Sequence, residues 1–267
     1  MFIFIFISLT NFKIGFSIVY YYVTMDEKVI DRIEKKYLIT KGEKRSILKS
    51  IRKNMKKDKY HKSKVLNLYF DNDNFDLISQ SIDWVDFKEK LRARSYGGFD
   101  RVFLEIKTKI HGDEGDNLGY KRRVMITHDD FNELIKGKRS VLELSKRAVE
   151  TSNDFQIAKE VDYLINHFSL KPKVLVTYNR ESYKDEHGLR ITFDDTLKYR
   201  SDKLSFHKSR RDKMYFKDKN TIIMEIKAHG AIPLWLVRTM SELKVYPERF
   251  SKIGKIYELI RKENYVQ

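Results

Sequence analysis

Residues 88–109 read KEKLRARSYGGFDRVFLEIKTK, and the alternation inside them decides the fold. Lys90, Arg92 and Arg94 alternate with Leu91 and Ala93, and Glu105, Lys107 and Lys109 alternate with Leu104, Ile106 and Thr108. A period of two puts the charges of each run on one face of a strand and the apolar residues on the other. The pattern recurs outward in both directions. Glu34 and Lys36 alternate with Ile33, Lys35 and Tyr37, and Lys121 and Arg123 lie on one side of Arg122 and Val124. Arg190, Thr192 and Asp194 alternate with Ile191 and Phe193, and Glu225 and Lys227 with Met224 and Ile226.

Strands are expected at Asp31–Ile39, Lys64–Phe70, Lys88–Tyr96, Arg101–Lys109, Gly119–Thr127, Lys173–Tyr183, Leu189–Asp194 and Thr221–Lys227. Period-3.6 stretches predict helices over Lys41–Met55, with Thr40 and Glu43 as a capping box, and over Asn74–Ser81, Asp129–Lys136, Ser140–Val149, Asn153–His167, Pro233–Leu243 and Lys252–Asn264. Loops fall at His111–Asn117 and Asp202–Asp212. Eight strands in hairpin-like succession with helices between them read as one α+β domain over residues 25–267. Eight is also the strand number that closes a small barrel, so the expectation is a closed eight-stranded antiparallel β-barrel with helices packed outside.

The chain has 267 residues and a net charge of +16, with 41% hydrophobic and 34% charged residues, which is too apolar for a disordered chain and too charged for a multispan membrane protein. Zero cysteines exclude disulfides, thiolate metal sites and a cysteine nucleophile. Residues 1–24, MFIFIFISLTNFKIGFSIVYYYVT, hold a single charge, Lys13, and stand apart as a hydrophobic segment. They are long enough to span a bilayer, and they are also read as sequence upstream of a true start at Met25. The first reading tethers the domain to a membrane, and the second leaves it in the cytoplasm.

A single charged strand face is the solvated side of a half-buried sheet. Six in one chain are different, because a cationic sheet face repels itself unless a polyanion occupies it. Closed into a barrel, these faces converge on a lumen suited to a chain of phosphates, with Arg forks and Lys point charges on the oxygens. The interleaved carboxylates would then hold a divalent cation shared with the substrate. The rival class is a nucleic-acid-binding module built on IRKNMKKDKYHKSK at 51–64 and on Arg210–Lys213 beside Tyr215 and Phe216. A simple nucleic-acid groove has no use for Glu34, Glu105 and Glu225 on the same faces, so no nucleic acid is expected. His111, His187, His207 and His229 read as loop or surface residues.

The ordered segments EKKY (34–37), LYFD (68–71), KLRAR (90–94), EIKTK (105–109), YKRR (120–123), TYNRESY (177–183), RITFD (190–194), MEIK (224–227) and SKIGKIY (251–257) resemble the catalytic domain of the vacuolar transporter chaperone (VTC) polyphosphate polymerases, within the triphosphate tunnel metalloenzyme superfamily. The resemblance implies a tunnel that binds ATP and inorganic polyphosphate, with Mn²⁺ or Mg²⁺ as cofactor. It implies catalytic phosphate contacts from Lys36, Arg92, Arg94, Lys107 and Arg180. Further substrate contacts are implied or expected from Lys90, Lys109, Lys121, Arg123, Arg190, Lys227, Lys252 and Lys255. Glu225 matches the family's metal ligand, with Glu34, Glu105 and Asp194 as accessory carboxylates. Eukaryotic members add an inositol-phosphate-sensing domain and membrane spans, so regulation and product translocation do not carry over. Arg32 stands where related hydrolases have the first Glu of a Glu-x-Glu-x-Lys strand. That shifts the balance toward a polymerase, with a tripolyphosphatase or nucleoside triphosphatase of the same fold as the alternative.

Overall fold

Alternating strands and capped helices follow one another along a computed structural model that describes residues 32–83, 85–97, 101–111, 117–148, 152–206 and 211–265. The chain runs β1 (Arg32–Thr40), α1 (Lys41–Asn54), β2 (Lys56–Asp71), α2 (Asp76–Ser79), β3 (Phe87–Tyr96), β4 (Val102–His111), β5 (Asn117–Ile126), α3 (His128–Ile135), α4 (Val141–Ala148), α5 (Ser152–His167), β6 (Lys171–Lys184), β7 (Arg190–Arg200), β8 (Lys213–Met214), β9 (Thr221–His229), α6 (Leu234–Glu242) and α7 (Lys252–Tyr265). The Thr40–Glu43 capping box starts α1, the Thr40 backbone N–H donating to Glu43 Oε2 at 2.6 Å and Glu43 N–H donating to Thr40 Oγ1 at 3.2 Å. Residues 1–24, the 112–116 part of the expected loop, His207 and Arg210 lie outside the described residues. Among the described residues no helix is long and apolar enough to cross a membrane.

All strands pair antiparallel in the order β1-β9-β7-β6-β2-β3-β4-β5, with β8 attached to β7. Hydrogen bonds do not close the expected eight-stranded barrel: among the described residues β1 and β5 end the paired path and do not pair with each other. The outer edge of β1 is taken by the segment before α7, whose Glu248 N–H donates to Lys36 O at 2.7 Å. The β5 edge is left to exposed Lys121, Arg122 and Arg123, and charge at an edge discourages strand pairing. The sheet is nevertheless strongly curled. Glu34 on β1 and Lys107 on β4 lie in each other's field, although six strand spacings of about 4.8 Å would separate them by roughly 29 Å in a flat sheet.

The outward face of the sheet carries two apolar clusters. Leu68, Leu91, Leu104, Ile106 and Val124 pack under α3, α4 and α5 through Phe131, Val141, Ile157 and Val161. Tyr37, Ile39, Ile191, Met224 and Ile226 pack under α1 and α6 through Ile47, Ile51, Leu236 and Met240. The seventh helix departs from the expectation of helices outside. Ile253, Ile256, Tyr257 and Ile260 follow helical spacing and pack with Val65, Tyr69, Val176, Tyr178 and Ile223 on the concave face. An irregularity in the β6–β7 pairing near Thr196, which has φ 54°, shifts the parity of β7. Before it Thr192 and Asp194 face the concavity, and after it Leu197 and Tyr199 join the α7 cluster. An apolar half floored by α7 and a charged half thus share one concave surface.

Candidate functional site

Register places the charged half. Arg92 is opposite Glu105 and Lys90 opposite Lys107 across β3 and β4, and Glu105 is opposite Arg123 and Lys107 opposite Lys121 across β4 and β5. On the other wing Lys36 is opposite Glu225, Glu34 opposite Lys227, Glu225 opposite Thr192 and Arg190 opposite Lys227. Arg180 is opposite Asp194, and Asn67 opposite Arg94. With a side-chain period of two, Lys36, Lys90, Arg92, Arg94, Lys107, Lys109, Lys121, Arg123, Arg180, Arg190, Lys227, Glu34, Glu105, Asp194 and Glu225 all share the concave face. Lys252 reaches it from α7, whereas Lys255 turns to Glu258 at 3.0 Å. His187 and His229 are exposed, as expected.

The carboxylates divide into two kinds. Glu105, with a wholly buried side chain, accepts from Arg92 Nε at 2.9 Å and Arg92 Nη2 at 2.7 Å and lies 2.6 Å from Lys121 Nζ. Burial alone would raise its pKa, but Arg92, Arg94 and Lys121 outweigh it and hold the carboxyl down to about 2. Asp194, also wholly buried, accepts from Arg180 Nε at 2.6 Å and Nη2 at 2.7 Å, and Lys252 Nζ stands 2.7 Å away. Against its burial, Lys252 and Arg180 keep it ionised. These two are counter-ions that fix the guanidinium planes.

Glu34 and Glu225 are arranged otherwise. Lys227 Nζ bridges them, 3.3 Å from Glu34 and 2.8 Å from Glu225, and Lys36 Nζ sits 3.6 Å from Glu34 while donating to Phe250 O at 3.1 Å. Both titrate below the ordinary glutamate range. Burial opposes this in each, and Lys227 is the largest cation holding each one ionised. Among the described residues no three His, Cys, Asp or Glu side chains gather as a metal site. Two ionised carboxylates do fit Mg²⁺ or Mn²⁺ of the kind held by one or two carboxylates plus substrate phosphates.

Three residues that strand alternation did not single out complete the geometry. Asn67 accepts from Arg94 Nε at 2.8 Å, Tyr69 OH accepts from Arg92 Nη1 at 3.4 Å, and the Tyr178 ring lies 4.9 Å from Lys252 Nζ and 5.3 Å from the Arg180 guanidinium. Asn67 carried a signal, being polar between Leu66 and Leu68 in an apolar strand. At the margins, Arg190 pairs with Asp58 at 3.1 Å and Arg123 covers the Phe103 ring at 4.7 Å.

The Lys90 and Lys107 side chains make no hydrogen bond or ion pair among the described residues. Desolvation, with Lys107, Lys36, Lys88 and Arg92 around it, pulls the Lys90 ammonium down to about 7. Water reaches Lys107 inside the concavity, yet the volume around it is mostly protein, and desolvation sets it at about 8 with Glu34 opposing and Arg92, Lys227 and Lys36 adding. A bound polyanion favours both protonated forms. Binding of a polyanion to this face is therefore expected to take up protons above about pH 7 and to weaken as pH rises through 7 to 8. The free fold should change with the opposite sign, because the unfolded lysines hold their protons up to the ordinary lysine value of 10.5 and stability rises with pH where the unfolded state binds more. Calorimetry in two buffers of different ionisation enthalpy reads the uptake, and identical heats after buffer correction would remove it.

The pattern of the VTC domain family matches residues 31–260. The chain belongs to the VTC domain family. Among curated VTC relatives, vacuolar transporter chaperone complex subunit 4 of Schizosaccharomyces pombe is 26% identical over 145 residues, 50% of this chain and 20% of that protein. Subunit 4 of Trypanosoma brucei brucei is 28% identical over 156 residues, 51% of this chain and again 20% of that one. The matched part of this VTC chain thus spans about a fifth of the length of those relatives. Among solved structures, a putative adenylyl cyclase from Hippeastrum, described as having a dominant triphosphatase activity, has TM-score 0.47 and 14% identity, covering 82% of this chain and 91% of that one. A Pyrococcus horikoshii protein has TM-score 0.42 and 16% identity over 85% and 99%.

Proposed function

We propose that this VTC-domain chain is a polyphosphate polymerase that moves the γ-phosphoryl group of ATP onto the end of an inorganic polyphosphate chain. The observation that carries the reading is the convergence of Lys36, Lys90, Arg92, Arg94, Lys107, Arg180, Lys227 and Lys252 on one concave face, with Glu105 and Asp194 spent as counter-ions. Phosphoryl transfer needs in-line positioning and neutralised charge more than a protein nucleophile. A chain-end phosphate oxygen forms a bond to the γ-phosphorus as the bond from that phosphorus to the β,γ-bridging oxygen breaks, and ADP leaves with the electron pair. The attacking oxygen is already ionised, so no general base is required.

Arg92 and Arg180 are aimed by Glu105 and Asp194, and their remaining N–H groups are directed at equatorial phosphate oxygens. Lys36 and Lys227 sit beside the two glutamates and reach oxygens on the same side. Glu34 and Glu225 would hold a Mn²⁺ or Mg²⁺ ion, which would supply charge neutralisation to substrate phosphate oxygens. Lys90 and Lys107 supply charge for the acceptor chain.

The test is the product. ATP with Mn²⁺ and a short polyphosphate primer should yield ADP and acid-insoluble chains, with orthophosphate minor. Orthophosphate equal to ADP, with no chain growth at any primer length, would replace the polymerase by a hydrolase on the same face. Binding of single-stranded nucleic acid in preference to polyphosphate, without turnover, would replace both.

A further inference from the structure

Within the concave face the charges are not spread evenly. Three residues stand at one register level across three neighbouring strands: Lys90 on β3, Lys107 on β4 and Lys121 on β5. The level beside it reads Arg92, Glu105, Arg123, and there a carboxylate separates the cations. The level on the other side begins Lys88, Lys109, again like charges directly opposite. Directly opposed like charges destabilise a sheet. The lysine level runs at right angles to the strands with about 4.8 Å between neighbours, so it leads around the sheet toward its rim and not along the concavity.

The rim it reaches is β5, whose outer edge pairs with no strand among the described residues. Gly119 to Arg123 are exposed along it, and the Lys121 side chain is 42% accessible while touching Glu105. At the other end of the path, β1 has its edge satisfied by Glu248 and its Lys36 tied to Phe250. Arg249 lies in the field of Lys109 on β4, which adds a further cation beside the lysine level. The opposite direction is floored by the apolar residues of α7. A polyanion thus meets a cationic path through the side of the sheet and an apolar floor beneath.

We propose that the phosphate chain loads sideways, across Lys121, Lys107 and Lys90 and over the β5 edge, so that the site grips the interior of a polyphosphate chain and needs no free chain end to admit it. The proposal rests on the polyphosphate reading given above and adds the route. Chains whose ends are blocked, which a threading tunnel refuses, are ligands of this protein. A growing end reaches the transfer site by sliding after the chain has entered laterally.

Long-chain polyphosphate biotinylated at both ends, with and without saturating streptavidin, is presented to the immobilised full-length protein. Lateral loading gives association rates within about threefold for the capped and uncapped chains, since the same surface is met in both. Capped chains that bind about a hundredfold more slowly, or not at all, while uncapped chains bind normally would overturn lateral loading and leave the polymerase reading standing. Failure of the uncapped chain to bind would overturn both. Free streptavidin measured alone corrects for its own attraction to a basic protein.

Discussion

Glu105→Gln should cost the free protein about 3–5 kcal/mol, the range for removing one partner of a buried ion pair. The carboxylate is wholly buried, and Arg92, Arg94 and Lys121 all lie within 4 Å of it. Without it three cations face one another with no counter-charge. Urea unfolding reads the loss, and long-chain polyphosphate should restore part of it, because phosphate oxygens substitute for the missing carboxylate. The expected metal role for Glu105 gives a different result: a small change in stability and a shifted metal dependence. An unchanged unfolding midpoint would refute the counter-ion role. The same pairing makes the fold acid-sensitive. The folded pKa of about 2 lies below the ordinary glutamate value of 4.5, so this stabilisation is complete above about 4.5 and disappears as pH falls through 2.

Glu225→Gln should have the largest effect on turnover with the least on binding. Glu225 is buried beside Lys227 and shares that lysine with Glu34. Removing its charge halves the carboxylate pair that fits a divalent cation, and loss of even an outer partner of a metal site costs up to about 100-fold. Metal-dependent ADP formation is expected to fall by at least that factor. Metal-free affinity for long polyphosphate should stay level or rise slightly, since the substitution removes one negative charge from a cationic face. Equal losses in both measurements would make Glu225 a structural counter-ion like Glu105. Full activity at higher Mn²⁺ with an unchanged maximal rate would place its role in metal affinity alone.

Much of this was legible in the strand alternation. Lys90-Leu91-Arg92-Ala93-Arg94 and Leu104-Glu105-Ile106-Lys107 sit on β3 and β4 with the parity their spacing implies, because a one-residue slip would send every apolar side chain to water. The first half of β2 was not legible. Residues 56–63 are polar on both sides of the strand and mostly exposed, so KKDKYHKS resembles a solvated basic run although it pairs with β6. Parity also names a face without saying which residues meet on it. That Glu105 belongs to Arg92, and Asp194 to Arg180 and Lys252, depends on register between strands and on a helix far along the chain. α7 shows the same limit. Its apolar stripe announces burial, but nothing in Ile253, Ile256, Tyr257 and Ile260 distinguishes the concave side of a sheet from the convex one. Closure was the least accessible property, since pairing of β1 with β5 turns on what else occupies their edges.

The contact between β1 and the segment before α7 bears on biosynthesis. Lys36 and Phe250 are 214 residues apart, and β1 finds its strand partner only in β9. At the usual pace of about 5–20 residues per second, a ribosome needs roughly 10–40 seconds between making the first member of this contact and the second. During that interval Tyr37 and Ile39, buried in the finished protein, have no β9 to cover them. The emerging amino-terminal strand is therefore a natural client for a chaperone that shields apolar segments. The β3–β4–β5 meander, assembled from near neighbours, can form well before chain release. Half of the charged concave face can assemble early, and the wing bearing Glu34 and Lys36 is completed only once β9 has emerged.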